Sequence, residues 1–383
     1  LEKNPGPLYQ PDINAGSAAL FSQNDFRFLY ESMNSAYNRL SKMTRIEDET
    51  RGQKNRIPRQ GYNSIRLQSY YDAGRLSTIG DAMVWHAVDT AFLFLVTMVN
   101  INKKRTVAGF PLSEERFDPE KSYRETAVFR YQPEMIVEAA TGILLHTLGL
   151  LHESIHEIVS AKPLLSRDDP KGLKIVRLLQ RHINVVQNLL KERREISSLS
   201  RMITVMQKEY PDGTGYPPPN ENKFIHEFIR LYHIIDSYDE LINPILRKSA
   251  YGRLDAIDYL RGQSGPYNYN SEKFSPSQRY DSELFEEFLQ VLAPFTPGEK
   301  VYLYLPENKS SNAFVGRVYS YLDSHIPLIS ILKDERRGKT YSFGQMLLYI
   351  PTGNVLMLQN GKIVKKLKVK WVETLEVHDK SID

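Results

Sequence analysis

Histidine and carboxylate chemistry is what this sequence offers first: it holds nine histidines and no cysteine, so imidazole and carboxylate groups must hold any metal. One local pattern is explicit. His152-Glu153-Ser154-Ile155-His156 fits H-E-x-x-H, which on a helix sets two histidines on one face with a glutamate base for zinc peptidase chemistry. Glu157 follows where such a helix faces the core, no third histidine stands at the extended spacing, and Pro163 ends the segment. A polar turn is therefore the expectation, with a zinc peptidase as the lesser alternative. Serine-hydrolase, Walker, dinucleotide and EF-hand patterns are absent, as is any repeat of 20 to 50 residues.

Four further segments carry chemistry-bearing residues in order: LLHTLGL at 144–150, QRH at 180–182, PDGTGYP at 211–217 and IIDSYDEL at 234–241. Taken together they resemble the HD-GYP family, bacterial metal-dependent phosphodiesterases that open cyclic di-GMP. The likeness runs from about residue 80 to 340, and DGTGYP is its most specific piece; APFTPGEKVYLYL resembles the opening of the family's β tail. The resemblance implies that His86 (in WHAVDTA), His146, His182 and Asp236 stand at metal-ligand positions. It also implies losses. Thr147 stands where the family has its bridging Asp, Leu150 where it has a Lys, and Gln207 and Lys208 where it has two adjacent histidines before Glu209. The family's Arg-Pro-Tyr-Arg run is replaced by Asn243, Pro244, Ile245, Leu246, Arg247 and Lys248.

A two-metal hydrolase holds its cations ~3.5–4 Å apart around a bridging hydroxide. A threonine hydroxyl is neutral and a poor ligand, so Thr147 cannot replace a bridging carboxylate. An inward Lys208 would repel a divalent ion by ~4 kcal/mol per unit-charge pair at 4 Å and an effective dielectric of 20, and would attract a phosphate. The expectation is a degenerate, non-catalytic family member with no catalytic residue. It holds no cofactor, or a single divalent metal (Zn, Fe or Mn) on His86, His146, His182 and Asp236. Lys208, Asp212, Gly213, Gly215, Tyr216 and Pro217 are the expected ligand-binding residues. Each has a structural alternative: His182 as a core histidine, Asp236 as a partner of Arg230, and DGTGYP as a turn formed by its glycines and proline.

The elements that must position these residues read as mainly α. Residues 1–75 form an N-terminal helical arm with the pattern Phe26, Leu29, Met33, Tyr37, Leu40; residues 76–293 form the HD-type helical domain. A helix is expected to start at Pro133 and run through Ile136, Ala140, Ile143 and Leu144, and another to carry Ile175, Leu178, Leu179, His182, Val186, Leu189 and Leu190. After Pro294 the period falls to two, and residues 294–383 read as a small antiparallel, barrel-like β domain with a hairpin at Asn360-Gly361. In its last strand Leu367, Val369 and Trp371 face one way and Lys366, Lys368 and Lys370 the other.

Composition bounds the partners. Fifty Lys plus Arg against 46 Asp plus Glu leaves +4, too little for a nucleic-acid surface. The apolar run Ala91 to Val99 is half the ~20 residues a membrane span needs and reads as a core helix. The lack of cysteine favours a reducing compartment, so a cytoplasmic location is expected. The functional expectation is a cyclic di-GMP receptor or a protein-interaction and signalling module. Two rivals stand beside it: an active phosphodiesterase whose metal set is rewired through His152, Glu153 or His156, and a purely structural partner protein.

Overall fold

The structure is a computed structural model, and it describes residues 27, 30–38, 79–112, 129–151, 180–191, 193–216, 225–243, 251–265, 279–292, 294–295, 298–304, 314–321, 327–335, 337–349, 355–359, 362–367 and 371–374. The H-E-x-x-H segment, Ile175 to Leu179 and Pro217 lie outside the described residues. Eight helices follow one another in this part: α1 (Ile79–Val107), α2 (Pro133–Leu145), α3 (Leu148–Leu151), α4 (His182–Lys191), α5 (Ser198–Val205), α6 (Glu227–Ile242), α7 (Arg253–Arg261) and α8 (Ser282–Val291). Residues 30–38 are helical too and lay Tyr30, Met33, Ala36 and Tyr37 on the helical core.

Local chemistry sets the helix starts. Pro133 opens α2 at its first turn, where a missing N–H costs nothing, and Glu134 follows. Ser197 caps α5 by accepting from the Ser200 N–H, and Asp281 caps α8 by accepting from the N–H groups of Glu283 and Leu284. His226 does the same for α6 through Nδ1, which accepts from the Phe228 N–H at 3.1 Å. With that nitrogen engaged, burial holds the His226 imidazole down to a pKa of about 4.

Helix α1 is the centre of the fold, packed on α2, α6 and α8. It is long and apolar enough to cross a membrane by composition, yet 72% of that apolar window is buried inside the protein. Ala91, Phe94, Leu95, Val96 and Met98 are wholly buried, as a core helix requires. Phe94, Phe228, Phe285 and Phe288 fill the space between these helices, each worth about 2 kcal/mol as area removed from water. At the far end of α1, Arg105 holds Glu227 through two nitrogens, and Tyr131 donates to the same carboxylate at 2.6 Å. This ties α1, α2 and the start of α6 together.

The C-terminal part is an antiparallel sheet of eight strands: β3 (Lys300–Tyr304), β4 (Phe314–Tyr321), β5 (Pro327–Asp334), β6 (Lys339–Thr340), β7 (Leu347–Tyr349), β8 (Val355–Gln359), β9 (Lys362–Leu367) and β10 (Trp371–Thr374). Their order is β10-β3-β4-β5-β7-β8-β9, with β6 beside β5. Strands β1 (Ser264–Gly265) and β2 (Tyr280–Asp281) form a separate parallel pair. Among the described residues no pairing joins β9 to β10, so the sheet runs as an open path. The register Gln359↔Lys362 leaves two residues between β8 and β9, the hairpin that Asn360-Gly361 implies.

One expectation fails here. Lys366 and Trp371 do not share a strand: Lys366 pairs with Leu356 in β8, whereas Trp371 pairs with Tyr304 in β3. Alternation along a sequence assigns faces, and it leaves the pairing partner open, so two strands with matching period read as one. The sheet has its own core of Phe295, Val301, Leu303, Phe314, Val318, Ile329, Ile331 and Met346. Leu254 touches both cores, and Arg253 beside it donates to the Pro294 carbonyl at 2.6 Å while lying over the Phe295 ring.

Candidate functional site: a buried carboxylate between two protein cations

Three chain segments meet around Asp236 in the middle of α6. Residue His86 comes from the first third of α1, His146 from the end of α2, and Lys208 from the turn after α5. The ligand atoms of His86, His146 and Asp236 lie within 4.8 Å of one another, and all three side chains are buried.

Helix α6 supplies most of the site through its own periodicity. Tyr232, Asp236 and Glu240 are four residues apart and share a face. The Tyr232 hydroxyl donates to Asp236 Oδ1 at 3.1 Å. His86 then bridges two carboxylates of this helix: Nε2 lies 3.1 Å from Asp236 Oδ1 and Nδ1 lies 2.5 Å from Asp239 Oδ2. Asn243, one turn further on, donates to the other Asp239 oxygen at 2.9 Å. With a carboxylate at each ring nitrogen, the imidazole carries both protons. Burial alone would lower its pKa, but the hydrogen bonds to Asp236 and Asp239 outweigh this and raise it to about 10.

His146 is the opposite case. It terminates α2, and its Nδ1 lies 2.5 Å from the Ile143 carbonyl, which can only accept, so the proton sits on Nδ1. The other nitrogen faces Asp236 Oδ1 at 3.9 Å with a lone pair. Burial, helped by the positive charge on His86, pushes its pKa down to about 3, so it stays neutral.

Lys208 completes the arrangement. Its ammonium donates to Asp236 Oδ2 at 2.5 Å and to Glu240 Oε1 at 2.8 Å. Although burial opposes a charged amine, the facing Asp236 and Glu240 raise its pKa well above the ordinary lysine value. Asp236 is correspondingly held far below the usual carboxylate range: burial works against this, and the Lys208 charge and the His86 contact prevail. The count is three carboxylates, Asp236, Asp239 and Glu240, to two cations, His86 and Lys208, so the cluster has no spare positive charge.

The DGTGYP loop places that lysine. Tyr216 pairs backbone to backbone with Lys208, its N–H donating to the Lys208 carbonyl at 2.8 Å. Gly215 makes this approach possible, because a Cβ there would stand 2.0 Å from that carbonyl. Gly213 turns the chain at φ +73°, and the Asp212 carboxylate accepts from the backbone N–H and hydroxyl of Thr214. Asp212 is thus occupied inside its own turn, and Tyr216 stands edge-on to His182, ring centroids 6.3 Å apart.

The other sequence-expected positions divide. His182 is buried at the start of α4 but is not part of the three-residue group; its carbonyl packs where a Cβ on Gly149 would come within 2.1 Å. Thr147 is buried beside His146, and Leu150 is half-buried. The Gln207 amide donates to the carbonyls of Thr204 and His146, at 2.8 and 3.1 Å. Glu209 is buried, which lifts its pKa to about 7. Arg230 pairs with Asp281 at 3.4 Å, so the Asp236–Arg230 alternative gives way: residues six apart on a helix stand about 120° from each other around its axis. Sequence reasoning gave Asp239 and Glu240 no role and read Asn243 only as a substituted position, although the spacing 236, 239, 240, 243 lies on one side of a helix.

A metal suits these donors in type and orientation. Both histidines have Nδ1 fixed by an acceptor and Nε2 turned toward a carboxylate, as metal-binding histidines do. The group could hold one ion; Lys208 and the doubly protonated His86 now supply the positive charge at that place.

No protein-family model matches the chain, and no curated protein matches it. Among solved structures it is similar to Bd1817, a HDG"Y"P protein from Bdellovibrio bacteriovorus, at 11% identity and a TM-score of 0.34, over 72% of this chain and 74% of that one.

Proposed function

We propose that the protein is a degenerate HD-GYP module that does not hydrolyse cyclic di-GMP and serves in signalling through interactions with other proteins, in the cytoplasm. One observation carries this reading: Asp236, the surviving carboxylate of the metal-ligand set, is engaged on both oxygens by protein-borne positive groups, Lys208 at 2.5 Å and His86 at 3.1 Å. Hydrolysis of a phosphodiester by metals needs cations that polarise the phosphoryl oxygens and acidify a water. An ammonium and an imidazolium already saturated by carboxylates do neither.

The same count bears on the cyclic di-GMP receptor. A phosphate recognises an unneutralised cation, and Lys208 already has two carboxylates within 2.8 Å. Protein interaction is therefore preferred to nucleotide reception through Lys208. The rewired phosphodiesterase calls on His152, Glu153 and His156, which lie outside the described residues.

The decisive experiment is a hydrolysis assay on the purified full chain with cyclic di-GMP and added Mn²⁺ or Fe²⁺, run beside calorimetric titration with the dinucleotide. The expected result is neither turnover nor binding. Sustained turnover would end the non-catalytic reading; binding without turnover would restore the receptor.

A further inference from the structure

The Lys208 ammonium stands between two carboxylates one helical turn apart on α6, and the residues behind it are arranged as metal ligands. We infer that Lys208 is a tethered stopper that keeps a divalent cation out of a site whose ligands, His86, His146 and Asp236, are otherwise assembled. The inference rests on the non-catalytic reading above and adds to it a latent ion site and the residue that closes it.

Three geometric facts support it. First, the His146 Nε2 lone pair and Asp236 Oδ1 face each other at 3.9 Å, close to twice the ~2 Å of a metal–ligand bond. Second, the Nδ1 atoms of His86 and His146 are held by Asp239 and the Ile143 carbonyl, so both rings are already oriented with Nε2 toward Asp236. Third, Asp236 Oδ2 and Glu240 Oε1 converge on one point, now Lys208 Nζ, at 2.5 and 2.8 Å. Removing the ammonium leaves both oxygens aimed there with nothing to neutralise them.

Position explains the control. The Lys208 side chain is 14% exposed and that of Glu240 40%, whereas His86, His146 and Asp236 are buried. The lysine therefore lies on the solvent side of the group. An ion reaching His86 and Asp236 would meet a fixed positive charge within a few ångströms, in surroundings that screen it weakly. Two imidazoles and a carboxylate suit Zn²⁺, Mn²⁺ or Fe²⁺. An ion would take the His86 Nε2 lone pair in exchange for the proton there, which would leave to solvent, while the Nδ1–H goes on donating to Asp239 Oδ2.

The test is calorimetric titration of the full chain with Zn²⁺ or Mn²⁺, comparing the native protein with Lys208→Met and Lys208→Gln. Either variant is expected to take up one equivalent at least about a thousandfold more tightly than the native chain, the scale of one unit charge a few ångströms away. His146→Ala in the Lys208→Met background should then weaken binding. Equal uptake by native and variant chains, or none by a folded variant, overturns the inference. If neither variant folds in chelator, refolding on addition of zinc supports it and persistent unfolding in zinc overturns it. Cyclic di-GMP turnover together with the expected difference in uptake would sink the non-catalytic reading and leave the stopper standing, whereas equal uptake without turnover would sink the stopper alone, so the two failures are distinguishable.

Discussion

Lys208 Nζ lies 2.5 Å from Asp236 Oδ2, on the oxygen opposite the one that receives the His86 Nε2–H. A single carboxylate thus spans two cations, a role that a bridging ligand plays between two metals, but here both charges belong to the chain. Charge balance in the interior then depends on side chains that mutation can remove one at a time.

Lys208→Met leaves Asp236 and Glu240 facing each other without a cation. Removing one partner of a buried pair strands the other, which costs about 3 kcal/mol. Urea unfolding in the presence of chelator should show a loss of that order, and Glu240→Gln added to Lys208→Met should recover part of it. A loss below about 0.5 kcal/mol, the level of a surface ion pair, would place Lys208 in solvent instead.

The pH dependence follows from His86. Its folded pKa of about 10 lies above the unfolded value of 6.5, so the folded state holds the proton more tightly. That stability is fully present below pH 6.5 and is lost as pH rises through about 10. Thermal melts from pH 6.5 to 10 should fall steadily, and His86→Asn should flatten this slope while lowering stability at pH 6.5. A native melting profile that does not change over this window would mean His86 is neutral.

Much of the helical core was legible because apolar spacing fixes which face of a helix is buried. The α2 stripe of Ile136, Ala140 and Ile143 is wholly buried, and Ala91 to Val99 is the core of α1. Convergence at the site was harder to read. His86 and Asp236 are 150 residues apart, and sequence likeness named both, yet it also named His182, which is not among the three residues whose ligand atoms lie together. Asp239 and Glu240 matter because His86 and Lys208 reach them from other elements, a tertiary fact that their shared helix face does not itself specify. The strand assignment at Lys366 and Trp371 failed for a similar reason, since pairing partners lie far away in sequence.

Gly215 has a structural duty that can be separated from ligand binding. A Cβ at this position would meet the Lys208 carbonyl at 2.0 Å, the Glu209 Cα at 2.7 Å and the Tyr210 nitrogen at 2.7 Å, all backbone atoms that cannot swing away. Gly215→Ala should therefore cost about 1–3 kcal/mol, as overpacking does, and pull Lys208 from Asp236. In chelator, the variant should also lose the extra destabilisation that Lys208→Met causes in the native background. Full additivity of the two substitutions would show that the loop does not position the lysine.

Restoring the missing ligand types tests the centre as a whole. The Gln207 amide lies 3.1 Å from the His146 carbonyl and Lys208 touches Asp236, while Thr147 is buried and follows His146 in the chain. Thr147→Asp supplies an anionic oxygen, Gln207→His an imidazole, and Lys208→His exchanges a fixed cation for a donor. The triple variant loses the two Gln207 hydrogen bonds, about 1 kcal/mol each, and gains ion binding that exceeds this when metal is present. Elemental analysis after purification in Mn²⁺ or Fe²⁺ should find metal in the triple variant and little in the native chain, with a melting temperature that rises on metal addition. A folded triple variant that stays metal-free would show that Thr147 and Gln207 point away from Asp236.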